Sequence, residues 1–187
     1  MRKLALALSL LAVAVLTVVA TAAVANRGHG GNGGNRFSAR LIGFEETPSE
    51  STPGHGTFRA TVNGDTIHYV LHYEGFETAE GSTLFSHIHF GQRGVAGGVA
   101  AFLCGGGDKP ACTPGQGTFE GDIDAADIVG PNGQGIAPGE MDEVITAMRK
   151  GYTYANVHTT LNPAGLIRGQ IKRGFGHGHG HGGSGHH

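Results

Sequence analysis

Short runs in which apolar and polar residues alternate recur through most of the chain. Gly56–Val62 and Thr66–Tyr73 are the clearest examples, and the dipeptide Asn63-Gly64 lies between them. Successive side chains of a strand point to opposite faces, so these runs predict strands with one buried face. Asn-Gly between two such runs predicts a β-hairpin with a tight turn.

The same alternation predicts six further strands and leaves one segment with a different period. Apolar residues at positions 141, 144, 145 and 148 have the i, i+3, i+4, i+7 spacing of a short helix. About eight strands and one helix predict an all-β fold, an antiparallel Greek-key sandwich or barrel. The further predicted strands are Phe37–Gly43, Leu84–Phe90, Val99–Leu103, Gly117–Ile123, Thr153–Thr159 and Leu166–Lys172.

The two ends of the chain differ from this middle part. Arg2 and Lys3 precede an uncharged apolar run, and Ala23-Val24-Ala25 has the pattern of a signal-peptide cleavage site. We therefore predict a signal peptide at 1–25, a Gly/Asn-rich disordered linker at 26–35, one domain at 36–173 and a Gly/His-rich disordered tail at 174–187. An uncleaved membrane anchor is the alternative for the first segment. With cleavage, we expect a secreted or extracytoplasmic protein without stable membrane insertion.

Charge and cysteine content narrow the class of protein. Removing residues 1–25 takes away two of 13 basic residues and changes the formal charge from −2 to −4. This mildly acidic balance gives no support for nucleic-acid binding. In an exported chain the two cysteines, Cys104 and Cys112, favour a disulfide around a short Gly/Pro-rich loop, and thiolate metal ligands are the alternative.

Two histidines lie two residues apart in an apolar strand-like run, at His87 and His89. On a strand both imidazoles face the same way, about 7 Å apart along the chain. This is a simple way for a β-protein to present two nitrogen ligands to one metal ion.

Several blocks of the sequence resemble the CHRD domain, a module named after its repeats in chordin and found in bacterial secreted proteins. The start of the resemblance is Leu41–Pro48, the middle is Ser86–Gly91, and the end is Asn156–Thr159 with Ile167–Ile171. It covers nearly the whole predicted domain. The resemblance implies an extracellular β-sandwich of immunoglobulin-like type and no general activity.

The histidine pattern is also similar to the copper half of Cu/Zn superoxide dismutase, another antiparallel sandwich. That resemblance implies copper ligands at His87, His89 and His158, with Arg168 attracting an anion at the mouth. Residues 91–98 contain neither histidine nor aspartate. The bridging histidine and zinc loop therefore have no counterpart, and we expect no dismutase active site.

Two interpretations of these histidines stay open. They hold copper or zinc, with His72 or His68 as an additional ligand, or they form a buried hydrogen-bonded network. Arg168 either attracts an anion or substrate, or forms a structural pair with Glu45 or Glu46.

The tail offers a second, independent set of imidazoles. Alternating Gly-His sequence can bind Cu(II), Ni(II) or Zn(II) with little geometric preference, and a solvated linker or an expression remnant is the alternative. The tail histidines are His177, His179, His181, His186 and His187.

We therefore expect a secreted binding module that holds a transition metal, and the partner is an unidentified extracellular protein or the metal ion itself. The alternative is a structural or protein-interaction module without metal. No Ser/His/Asp elbow, phosphate loop or catalytic cysteine signature appears in the sequence, which favours a binding protein over an enzyme.

Overall fold

The structure, a computed structural model, describes residues 35–76 and 78–174. This part of the chain forms nine strands, one α-helix and four short 3₁₀ segments. The strands are β1 (Arg36–Ile42), β2 (His55–Asn63), β3 (Thr66–Glu74), β4 (Thr83–Phe90), β5 (Gly98–Cys104), β6 (Gly117–Ile123), β7 (Thr153–Thr159), β8 (Ile167–Gln170) and β9 (Lys172–Arg173), and the helix is α1 (Met141–Lys150).

All the strands belong to one antiparallel sheet. Its order is β5-β4-β7-β8-β1-β2-β3-β6, and the short β9 pairs with β1. The two end strands, β5 and β6, lie near each other, and the sheet is a nearly closed barrel. The Tyr69 hydroxyl on β3 donates to the Leu103 carbonyl on β5 across 2.7 Å, which ties the two sides together. The predicted all-β class is confirmed.

The predicted hairpin is present with its turn shifted by one residue. Asn63 pairs with Thr66, so the two-residue loop is Gly64-Asp65, and Gly64 has a φ of 63°. Glycine reaches this left-handed conformation without the clash that a side chain would meet. The alternation is also as predicted, because Phe58, Ile67 and their neighbours at every second position are buried in the barrel.

The last predicted strand is interrupted. β8 ends at Gln170, the Ile171 N–H donates to the Thr153 carbonyl on β7 across 2.9 Å, and the chain then pairs with β1 as β9. The helix lies where the period predicted it. Its apolar side, including Val144 and Met148, packs on the barrel core, and Gly151 caps its C-terminal end.

Two central strands are buried on both faces. Every residue of β7 is buried, and β4 is buried from Ser86 to His89. One face of these strands packs in the barrel core, where Ile88 and Ala155 are fully buried. Loops cover the other face, including the segments 43–53, 91–97 and 160–166. A sheet face covered by loops can hold polar groups that the apolar core would exclude.

Most of the predicted signal peptide, linker and tail lies outside the described residues. The five tail histidines are therefore not placed. Among residues 35–76 and 78–174, no helix is long and apolar enough to cross a membrane.

Candidate metal centre

The loop-covered face of β4 and β7 carries a cluster of three imidazoles. His87 and His89 lie on β4, and His158 lies on β7. In the β4–β7 pairing His158 is opposite Phe85 and Asn156 is opposite His87. Residues opposite each other in an antiparallel pair share a face, and so do residues two apart on one strand. This register brings the three histidines together from positions 71 residues apart in the chain.

The cluster has the dimensions of a metal site. One candidate ligand atom from each ring lies within 4.8 Å of the others. His87 Nδ1 and His158 Nε2 are 3.1 Å apart. Nitrogens bound tetrahedrally at 2.0–2.1 Å are about 3.3–3.4 Å apart, so this pair is already near the required separation. The widest pair, within 4.8 Å, has to close by up to about 1.4 Å to reach that separation.

Backbone carbonyls orient two of the rings. His89 Nδ1 lies 2.9 Å from the Gly97 carbonyl oxygen, and His158 Nδ1 lies 3.0 Å from that of Pro163. A carbonyl only accepts, so both Nδ1 atoms carry the proton and both Nε2 atoms present a lone pair. Bonds of this kind fix the tautomer of histidines that ligate metals.

His87 and His89 complete the arrangement in different ways. Because His158 Nε2 accepts, His87 Nδ1 donates its proton to it. His89 Nε2 is buried, and no described residue supplies it with a hydrogen-bond partner. A buried polar atom left unpaired costs roughly 1–3 kcal/mol, and this ring nitrogen belongs to the cluster of three imidazoles.

Burial keeps all three rings neutral. Burial, together with the neighbouring His158 and His89, lowers the pKa of His87 to about 3. Burial also lowers the pKa of His89 and of His158 to about 4, partly opposed by their carbonyl hydrogen bonds. Metal ions bind the neutral imidazole, so no proton has to leave a cationic ring at neutral pH.

An aromatic stack supports His89. The Tyr154 ring is parallel to the His89 ring, with centroids 4.7 Å apart and an angle of 4°. The Arg168 guanidinium carbon lies 3.5 Å from the Tyr154 centroid. The Tyr154 hydroxyl accepts from the Gly97 N–H across 3.0 Å, beside the carbonyl that holds His89. The stack and the carbonyl together fix the His89 ring.

Arg168 has a structural role that neither sequence interpretation described. It is 3% exposed, so it does not stand at a solvent-facing mouth. Among the described residues it forms no ion pair within 4 Å. Its guanidinium instead donates to the carbonyls of Gln92 and Val95 at 3.2 and 2.8 Å, and lies 3.4 Å from the Thr47 hydroxyl. Of the two proposed carboxylate partners, Glu45 pairs with Arg93.

The other proposed partner, Glu46, forms a buried hydrogen bond beside the cluster. Its Oε1 accepts from Asn156 Nδ2 across 2.7 Å. Burial raises the pKa of Glu46 to about 8, and the positive charge of Arg168 opposes this only in part. The carboxyl is therefore mostly protonated at pH 7. It acts as a neutral hydrogen-bonding group between β7 and the loop after β1.

The structure does not bring His68 and His72, the two possible additional ligands, to the cluster. Both are on β3, four strands from β7 in the sheet. His68 Nδ1 lies 2.9 Å from Asp122 Oδ1, and His72 Nδ1 lies 3.0 Å from Thr118 Oγ1. The physical reason is the strand order, because β3 pairs with β2 and β6 and not with β4 or β7.

The predicted disulfide is present. Cys104, the last residue of β5, is bonded to Cys112, and their Cα atoms are 5.2 Å apart. No free cysteine remains for a thiolate site. The bridge closes the loop that follows β5.

Sequence reasoning missed two groups that support the cluster. Tyr154 and Asn156 precede His158 at two-residue steps on a predicted strand, so the period alone could have placed both on its face. The supporting carbonyls of Gly97 and Pro163 have no such signal, because every residue carries a carbonyl.

The fold and the cluster together define a class: a disulfide-containing, all-β domain with a buried candidate metal centre beneath its loops. Within that class the family is settled by comparison with known proteins. The family model for the CHRD domain matches residues 37–171, well over half of the chain, and the chain belongs to this family. No curated protein and no solved structure matches it.

Proposed function

We propose that this protein is an exported CHRD-domain binding module whose domain holds one copper or zinc ion through His87, His89 and His158. The observation that carries the proposal is His89 Nε2, a buried lone pair without a partner, directed into a cluster of two further neutral imidazoles. Three nitrogen ligands suit both Zn(II) and copper. CHRD membership and the disulfide support an extracytoplasmic location.

Metal binding requires one proton to move. In the metal-free cluster the His87 Nδ1 proton lies between His87 and His158. An ion bound there takes the place of this proton, and neutral His87 then carries its proton on Nε2. The carbonyls of Gly97 and Pro163 keep the other two rings in the tautomer that binding needs. No step requires a charged ring.

The alternative is an interaction module in which the histidines only pack and form hydrogen bonds. The bond between His87 and His158 and the two carbonyl bonds support it. It leaves His89 Nε2 unpaired, which a metal ion would correct. The two proposals therefore differ in whether His89 Nε2 has a partner.

The test has to exclude metal binding by the histidines of the C-terminal tail. In the full chain, we would replace the five tail histidines by serine and measure bound zinc and copper by elemental analysis and titration calorimetry. We expect one tightly bound ion, lost in both His87→Ala and His158→Ala. His72→Ala is the matched control, since it removes an imidazole outside the cluster, and it should keep the ion. A tail-silent protein that binds no ion, with native circular dichroism, would overturn the metal proposal and leave the interaction module.

A further inference from the structure

A second surface, which none of the three clustered histidines lines, carries six of the 13 Lys and Arg residues of the chain. Six exposed cations line two adjoining grooves that share Ser38 and Gly174. The larger groove has a volume of about 440 Å³. The six residues are Arg36, Arg40, Arg59, Arg93, Lys172 and Arg173.

The sheet register places four of these cations around one hydroxyl. Ser38 is the third residue of β1, with Arg36 and Arg40 two residues before and after it on the same exposed face. Arg59 on β2 is directly opposite Ser38 on one side, and Lys172 on β9 is directly opposite on the other. Neighbours across strands are about 5 Å away and neighbours along the strand about 7 Å away, so four positive side chains surround Ser38.

Carboxylates do not neutralise this group. Within the described part of the chain, no carboxylate lies within ion-pair distance of these four side chains. The one carboxylate in either groove is Glu45, and it pairs with Arg93. Outside the grooves the chain has seven Lys and Arg residues and 14 of its 15 Asp and Glu residues. Its negative charge therefore lies almost entirely outside the grooves. Like charges on adjacent strands are unfavourable unless a ligand neutralises them.

We propose that this surface, the Ser38 groove, binds an anionic polysaccharide through sulfate or carboxylate groups. Charge complementarity supports a polyanion, and the shape and lining select its kind. The exposed large apolar residues of the described chain all lie outside the two grooves. Two rings line the second groove, but Phe37 is buried and His68 is held by Glu120 and Asp122, so neither is free to stack on a nucleobase. No large apolar side chain stands exposed in either groove as an anchor for a lipid bilayer. The exposed hydroxyl of Ser38, which both grooves share, suits a sugar hydroxyl.

The experiment uses the full chain at pH 7.5 and size-defined heparin as a sulfated probe. Affinity is measured by calorimetry at 50, 100 and 200 mM NaCl for the wild type and for Arg40→Gln/Arg59→Gln. The matched control is Arg149→Gln/Lys150→Gln, which removes the same charge from the exposed end of α1. At 100 mM NaCl we expect the groove variant to bind about 10- to 30-fold more weakly, and the control to stay within about 2-fold of wild type. The salt dependence of the groove variant should also fall by about one ion per cation removed.

Parallel experiments replace heparin with three other probes. These are alginate, which is a polycarboxylate; vesicles that contain 30% anionic phospholipid; and an oligothymidylate. Binding of heparin or alginate with the predicted loss in the groove variant supports the proposal and tells sulfate from carboxylate recognition. Absence of polysaccharide binding at 50 mM NaCl, or equal losses in the two double variants, would refute it. Vesicle or oligonucleotide binding at least as tight as that of either polysaccharide would assign the groove to a different partner. None of these results depends on the metal cluster.

Discussion

Acid should destabilise the metal-free domain, because its three clustered histidines are buried as neutral rings. Their pKa values are about 3 for His87 and about 4 for His89 and His158, against 6.5 for an unperturbed histidine. Between pH 6.5 and 4 the unfolded chain therefore binds more protons than the folded one. The histidine contribution to stability approaches its full value as the pH rises above 6.5 and is lost as the pH falls toward 4.

Glu46 changes the folding stability with pH in the opposite direction. Its pKa is about 8 in the folded protein and 4.5 when unperturbed, so the folded state holds the extra proton in that window. Its contribution is complete below pH 4.5 and is lost as the pH rises toward 8. Acidification therefore strengthens the Glu46 term while it weakens the histidine terms.

Each proton that one state binds in excess of the other changes the free energy of unfolding by about 1.4 kcal/mol per pH unit. From pH 6.5 to 4.5 the three histidines together lose about 6–7 kcal/mol of folding stability, and Glu46 returns about 2. The net loss of about 4 kcal/mol is a large part of the 5–15 kcal/mol of a typical domain. Above pH 6.5 the two effects nearly cancel, so stability should be almost constant up to pH 8.

The assay is urea unfolding of the full chain in a chelating buffer, followed by circular dichroism at half-unit pH steps. Glu46→Gln is the informative variant, because it removes the opposing group and keeps the hydrogen bond from Asn156. We expect this variant to lose about 6 kcal/mol over the same interval. An unfolding free energy that is flat or rises from pH 6.5 to 4.5 would refute neutral burial of the histidines. Equal losses in wild type and Glu46→Gln would refute the role given to the carboxyl.

Three further substitutions test separate parts of the structure. Replacing Cys104 and Cys112 together by serine opens a bridge with a sequence separation of 8 and should cost about 2.5 kcal/mol in urea unfolding; an unchanged midpoint would contradict this. Gly165→Ala should cost about 2 kcal/mol or more, because φ is 137° and the new Cβ would lie 2.6 Å from Glu46 Oε1; a thermal midpoint equal to wild type would show that the contact is not there. Tyr154→Leu should weaken metal binding at least about 3-fold by calorimetry while Tyr154→Phe does not, since phenylalanine keeps the ring that stacks on His89; equal affinities would remove the stack from the account.

Most of the fold could be predicted because local pattern determines it. Alternation placed the eight strands and the 3.6-residue period placed α1, since each buries one face against a common core. The shifted turn at Gly64-Asp65 and the break at Ile171 could not be predicted in this way. Both depend on which partner strand supplies the hydrogen bonds, and that partner is set by the whole sheet.

The candidate site also has a part that the local sequence pattern predicts and a part that depends on the whole sheet. His87 and His89 are a local pattern, and a period of two places both on one face. Bringing His158 to them required a family resemblance, because the β4–β7 register joins segments far apart in sequence. The role of Arg168 was not predictable, because its guanidinium is held by loop carbonyls and by the face of Tyr154.

The loop of residues 91–97 joins three parts of the cluster at once. Its carbonyls at Gln92 and Val95 hold Arg168, its Gly97 carbonyl holds His89, and the Gly97 N–H holds the Tyr154 hydroxyl. Lifting this loop would break all these bonds together, so it should open as one cooperative unit. The histidines beneath are only 4–7% exposed, so opening of this loop is one route to them. If ions pass by this route, uptake and release at the proposed metal centre would follow the opening rate of the loop, and exchange would be slow even where the equilibrium affinity is modest.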